Sequence, residues 1–258
     1  MNIQSAKVAL LAALATMTLG CGTKEATGPL ESGPQGRVRF VNLVTDPARN
    51  PVNAVLEGVP FGVNLGYGGT TPSSLPSPAT ANYSAILTGA RTLVLQRTAD
   101  PTVTVATLTF TIAEGQDHTV YAEGGTAGGT VTSFVTTDPT PATAAGQVAI
   151  RIVNMSPTGG ALDFFVTAPG ADLSTATPIA ANLAYHAASA YVNLGAGTYQ
   201  IRAVPAGTAP ALRSTSVVIT FTPPATPAPF PSGSARTIVA ADAAGGGSPL
   251  RAFLVSDR

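Results

Sequence analysis

The chain is written twice, and no other feature of the sequence restricts its fold as much. The segment VRFVNL at 38–43 returns as IRIVNM at 150–155. NLGY at 64–67 returns as NLAY at 182–185, and LTFT at 108–111 as ITFT at 219–222. HTVYA at 118–122 matches RTIVA at 236–240, and FVTTD at 134–138 matches FLVSD at 253–257. The order is the same in both halves. Self-similarity of this kind means one structural unit used twice. The spacing drifts only in turn-rich segments, at 68–80, 167–177 and 223–234, which marks these as unequal loops on a shared scaffold.

The matched segments read as strands. Leu108, Phe110 and Ile112 alternate with Thr107, Thr109 and Thr111, a period of two with β-branched partners. Val217, Ile219 and Phe221 face one way, with Thr220 and Thr222 facing the other. Turn signals such as Asp46-Pro47, Asp100-Pro101, Glu114-Gly115 and Gly124-Gly125 punctuate the chain at short intervals. This predicts seven or eight short strands per half. The Ala-rich stretch 179–190 has a Gly-, Pro- and Thr-rich counterpart, so it too reads as strand and loop. The expected fold is all-β: two tandem antiparallel β-sandwich (Ig-like) domains. The chain has no Trp and one Cys, so the buried Trp and disulfide of an Ig domain are absent. The expected organisation is a signal peptide at 1–20, a flexible tether at 21–36, a first sandwich at 37–138, a linker at 139–146 and a second sandwich at 147–258.

The amino terminus reads as an address. Lys7 precedes an apolar run at 8–19 that is too short for a membrane-spanning anchor. Thr18-Leu19-Gly20 then leads to Cys21, the only Cys of the chain. This resembles the bacterial lipoprotein signal, with Thr18 where Leu is usual. The resemblance implies lipidation of Cys21 and attachment of the mature chain to a membrane through that lipid. Gly22, not Asp, follows the Cys, so an exported, lipid-anchored protein of the cell envelope, at the outer membrane, is expected. The segment 22–36 is rich in Gly, Pro and polar residues and reads as a tether.

From Gly36 onward, each half resembles the DUF4397 family of bacterial exported proteins. The resemblance rests on residues 37–46, on YVNLGAGTYQIR at 191–202, on 118–123 and on 253–257. The second half lacks the Asp of the family's first turn at Ser156-Pro157-Thr158, and the first half lacks the aromatic at Thr88-Gly89-Ala90-Arg91. The family implies a fold and an exported location, and it implies no catalytic residues.

The residues themselves point to little chemistry. Net charge is zero, which leaves no electrostatic footprint for nucleic acid. His118 and His186 are the two histidines, and surface or strand-end positions are expected for both. No Gly-x-Ser-x-Gly elbow and no spaced metal-ligand cluster occur, so no catalytic, cofactor or metal residues are expected. Arg39 and Arg151 are equivalent and are expected to point outward from their strands. Asn42 and Asn154 are expected to end those strands by Asx-type bonding. The tyrosines recur at matched positions, which suggests scaffold packing. Three roles follow: first a non-enzymatic envelope lipoprotein with a structural or interaction role, or alternatively a carbohydrate-binding or adhesion module. A hydrolase of unrecognised type is the third. An envelope protein or glycan is the candidate partner. Binding is expected at the unequal loops, with Phe230, exposed among prolines in 223–234, as the first candidate contact.

Overall fold

The computed structural model describes residues 33–72, 82–225 and 228–257. The expected signal peptide, Cys21 and most of the expected tether lie outside the described residues. The first half contributes β1 (Gln35–Val44), β2 (Val52–Leu56), β3 (Val59–Leu65), β4 (Thr70–Thr71), β5 (Ser84–Leu87), β6 (Gly89–Arg97), β7 (Asp100–Ile112), β8 (Asp117–Gly124) and β9 (Val131–Asp138). The second contributes β10 (Gln147–Met155), β11 (Leu162–Thr167), β12 (Ala180–Leu183), β13 (Ala187–Ala188), β14 (Val192–Gly195), β15 (Gln200–Pro205), β16 (Ile219–Phe221), β17 (Ala235–Ala241) and β18 (Arg251–Ser256). Residues 139–146 connect β9 to β10.

Each half holds two sheets, and the strand order is the same in both. In the first half the sheets are β4-β1-β8-β9, with β5 also on β1, and β3-β2-β6-β7. In the second they are β13-β10-β17-β18, with β14 also on β10, and β12-β11-β15-β16. Within a half the two sheets pack face to face. Val38, Phe40 and Val120 of one sheet meet Ala54, Leu93, Leu95 and Phe110 of the other. Ile150, Ile152 and Ile238 likewise meet Phe164, Ile201 and Ile219 in the second half. The alternation of β7 holds: Leu108, Phe110 and Ile112 are buried, while Thr109 and Thr111 are exposed.

Two departures from the expected sandwiches matter. First, the sheets are mixed. β1 runs parallel to β8, and β10 runs parallel to β17. Second, these four strands are buried along nearly their whole length, on both faces. A strand covered on both faces loses its alternation and reads as a continuous buried run. One face of β1 and β8 packs on its own half's core. The other forms a separate apolar cluster, in which Val41, Leu43 and Tyr121 meet Val153, Met155, Val239 and Val255. From Gly33 onward the body is one compact unit.

Candidate functional site

The chemistry-bearing side chains collect in this seam between the halves. Register places the first of them. Arg39 lies opposite Thr119 in the β1–β8 pair, and Arg151 lies opposite Thr237 in the β10–β17 pair. Asp138 ends β9, and Asp257 follows β18. Both arginines point outward from their own sandwich and pair across the sheet, as expected, yet each is only 1% exposed. Their strand face is the outer face of one sandwich, but the other sandwich covers it.

The arginines cross over. Arg39 Nη2 donates to Asp257 Oδ1 of the second half at 2.9 Å. Arg151 Nη2 donates to Asp138 Oδ1 of the first half at 2.5 Å. The remaining contacts repeat with the same logic. Arg39 Nε donates to Thr119 Oγ1 at 3.1 Å, and Arg151 Nε to Thr237 Oγ1 at 2.7 Å. Thr119 donates to Asp138, and Thr237 donates to Asp257 Oδ2 at 2.7 Å. Tyr83 donates to Asp138 Oδ2 at 2.8 Å, and Tyr191 to Asp257 Oδ2 at 2.9 Å. The Arg39 guanidinium sits 4.5 Å from the Tyr83 ring centre, and that of Arg151 sits 5.2 Å from the Tyr191 ring centre. Two cations thus meet two carboxylates, and each charge has several hydrogen-bonding partners.

That pairing controls the ionisation. Burial opposes the charge on Arg39, but Asp257, Tyr83, Tyr121 and Asp138 outweigh it and hold the guanidinium above its ordinary value. Burial alone would raise the Asp138 carboxyl. Arg151, Arg39 and the Thr119 and Thr136 hydroxyls instead hold it below the usual carboxylate range.

At the other end of the seam the halves differ. Glu123 lies opposite Leu43 in β8 and is 5% exposed. Its Oε1 accepts from the Tyr185 hydroxyl at 3.0 Å and contacts His186 Nε2. The His186 ring stacks flat on Phe134 at 4.6 Å and against Tyr185 at 3.8 Å. Tyr67, the counterpart of Tyr185, donates to the Asp242 carbonyl at 2.7 Å. Leu43, Tyr67, Glu123, Met155, Tyr185 and Asp242 line a cavity of about 90 Å³ between them. Asp242 itself accepts from Ser156 Oγ and from Thr158 Oγ1, each at 2.6 Å.

Other expected positions fall as follows. Asn42 Oδ1 accepts from Val44 N and Asn154 Oδ1 from Ser156 N, both at 3.1 Å, the expected Asx bonding. His118 takes the strand-end position of the two expected, as the second residue of β8, and is 5% exposed. Its Nε2 accepts from Ala113 N at 3.1 Å and closes the turn before the strand. His186 is exposed, the surface position expected of it, with its side chain 37% accessible. Phe230 is 1% exposed, and its expected exposure is also corrected. It fills the core of the second half and meets Tyr199 edge-on at 5.6 Å. The proline-rich loop around it is tied down by Arg236 Nε, which donates to Pro229 O at 3.0 Å. A groove of about 460 Å³ runs between this loop and β18, lined by Phe221, Pro224, Pro229, Phe253 and Leu254. In the loop at 167–177, Leu173 is fully buried against Phe165 and Val204. Loop 68–80 lies partly outside the described residues.

The sequence reading missed both seam clusters. A signal was present. In a chain with only 10% charged residues, an Arg and an Asp recur at matched places in both halves. Among the described residues, no group of three or more His, Cys, Asp or Glu is gathered to hold a metal ion. Among them, no helix is long and apolar enough to cross a membrane.

The fold and the seam define an all-β protein built from two similarly ordered sandwiches joined through a buried ionic network. The chain belongs to the DUF4397 family, a domain of unknown function, whose family model matches residues 36–165. No curated protein matches it in sequence. Among solved structures, it is similar to the Bacillus anthracis TIE protein, at 12% identity and a TM-score of 0.21, over 69% of this chain and 30% of that one. It is also similar to a leucine-rich repeat protein from Bacteroides thetaiotaomicron VPI-5482, at 14% identity and a TM-score of 0.19, over 74% of this chain and 24% of that one. The chain therefore spans less than a third of each of those proteins.

Proposed function

We propose that this chain is a lipid-anchored protein of the cell envelope whose body has a structural or interaction role and no catalytic one. The observation that carries the reading is where its polar chemistry goes. Arg39, Arg151, Asp138, Glu123 and Asp242 are all buried, and all bond to other side chains of the same body. Groups committed in this way hold two sandwiches together. Tyr67, Tyr83, Tyr121, Tyr185 and Tyr191 also face the seam, which weighs against a sugar-stacking surface. The anchor reading comes from Thr18-Leu19-Gly20-Cys21 and the polar tether after it. A diacylated and N-acylated Cys carries more than one chain, which makes attachment durable where a single chain would be marginal.

The test is Cys21→Ser, expressed in a bacterium beside the wild type with a metabolic fatty-acid label. The wild type is expected in the membrane fraction with label, and the variant outside it without label. Unchanged partitioning of the variant overturns the anchor. Turnover of esters, glycans or peptides by the purified body overturns the non-catalytic reading.

A further inference from the structure

The ionic end of the seam is nearly symmetric, and the two halves differ at its other end. Arg39 and Arg151 are equivalent, as are Asp138 and Asp257, Thr119 and Thr237, and Tyr83 and Tyr191. Each arginine bonds a carboxylate of the opposite half. An interface made of the same patch on both sides is isologous, the geometry of a twofold dimer. The ionic network alone would therefore accept any pairing of halves. In a pair of first halves Arg39 would meet the other copy's Asp138, and in a pair of second halves Arg151 would meet the other copy's Asp257.

Glu123 and His186 break this indifference. Glu123 faces Leu43 across the sheet where the second half sets Ala241 against Met155. His186 occupies the place of Gly68. Gly68 N donates to Asn42 O at 2.7 Å, and His186 N donates to the equivalent Asn154 O at 2.9 Å. Gly68 has φ +80°, and His186 takes the same left-handed backbone at φ 59°, which a residue with a Cβ pays for in strain. A Cβ on Gly68 would run into the Phe253 ring, whereas the His186 ring lies flat on the equivalent Phe134. Thus the second half carries a strained histidine that reaches a buried carboxylate of the first half, Glu123.

We infer that Glu123 and His186 are the specificity determinant of the seam: they make the first half's face fit the second half and reject a copy of itself. A pair of first halves would bury two Glu123 carboxylates against Gly68, with no imidazole to meet either. A pair of second halves would set His186 against Ala241, and the carboxylate after it, Asp242, is already bonded to Ser156 and Thr158. Specificity of this kind comes from penalising the wrong pairing as well as rewarding the right one. The partner that this surface fits is the opposite half, from the same chain or from a second copy.

The test uses the full chain with a protease site placed in the 139–146 linker. After cleavage, wild-type protein is mixed with an isotope-labelled batch in just enough urea for labelled and unlabelled halves to exchange. Pairings are then counted by native mass spectrometry. The wild type is expected to re-form first–second pairs in more than about tenfold excess over like pairs. Glu123→Ala should admit pairs of first halves, and His186→Gly should admit pairs of second halves. Circular dichroism of the uncleaved variants confirms that each folds. Separation of wild-type halves into monomers overturns the inference. So do like pairs that are as abundant in the wild type as in the variants, and so do variants that still form only mixed pairs.

Discussion

Arg39 and Asp257 meet at 2.9 Å across 218 positions of sequence, one on the first strand of the first half and one just after the last strand of the second. Neither bond partner lies in its own half's sandwich core. The contact closes the body from end to end, and its mirror image, Arg151 with Asp138, closes it again. A buried ion pair brings affinity only where every charge is met, because taking two ions out of water costs several kcal/mol each. Here the Thr119, Thr237, Tyr83 and Tyr191 hydroxyls supply the remaining bonds.

Arg39→Ala is therefore expected to destabilise the body by about 3–5 kcal/mol, since it strands Asp257 in a buried site. Arg37, two residues earlier, pairs with Asp117 at 2.6 Å with its side chain 55% exposed. Arg37→Ala should cost less than about 1 kcal/mol. Urea midpoints of the two variants check the contrast. Equal losses would mean that the seam contributes no more than a surface pair.

Acid should loosen the seam. The carboxyl of Asp138 titrates below its ordinary value in the folded state, although burial works the other way, because Arg151 and Arg39 stand beside it. A carboxyl depressed by folding contributes stability that is present above the unfolded value of about 3.9 and is lost as pH falls through the folded value. Asp138→Asn should lower stability at neutral pH and flatten its decline below about pH 4. Urea midpoints measured on both sides of that pH check both parts.

The strands were legible because their alternation is local: Leu108, Phe110 and Ile112 announce a buried face whatever lies beyond it. The duplication made the equal strand order of the two halves legible too. Arg39 and Arg151 were not, because a period of two tells which face leaves the sandwich core but not what covers that face. The parallel pairing of β1 with β8 was hidden for a similar reason, since hydrophobic pattern carries no strand direction. Phe230 misled through its neighbours. Prolines suggest a surface loop, yet this loop turns its one aromatic ring into the core. The Glu123–His186 contact joins residues that have no charged counterparts in the other half, so the comparison of repeats could not single them out.

Alkali should act through the tyrosines. Burial pushes the Tyr121 phenol up to about 12, and it also raises those of Tyr67, Tyr83 and Tyr191 above their ordinary value. A group raised by folding contributes stability that is fully present below the unfolded value, near 10, and is lost as pH rises through the folded one. With no Trp in the chain, near-ultraviolet phenolate absorbance reports tyrosine alone. These phenols should ionise together with unfolding above about pH 10 rather than gradually. The Tyr121 hydroxyl has no hydrogen-bond partner among the described residues, so Tyr121→Phe should be neutral or stabilising by up to about 1 kcal/mol. A clear loss of stability in that variant would reveal a partner for the hydroxyl.

The proline-rich loop should prove to be part of the second half's core. Phe230 packs with Ile150, Ile201 and Ile238 in that core, and its backbone bridges to Gly197. Phe230→Ala removes a whole buried ring and is expected to cost about 3–5 kcal/mol. Pro224, exposed on the same loop, should tolerate Ala within about 0.5 kcal/mol. Urea midpoints decide between the two roles for the loop. If both substitutions are silent, the ring is not holding the loop down. If only Phe230→Ala is costly, the contact that fastens the loop is the same one that completes the core, and shortening the loop through Phe230 would open the sandwich as well as remove an ornament.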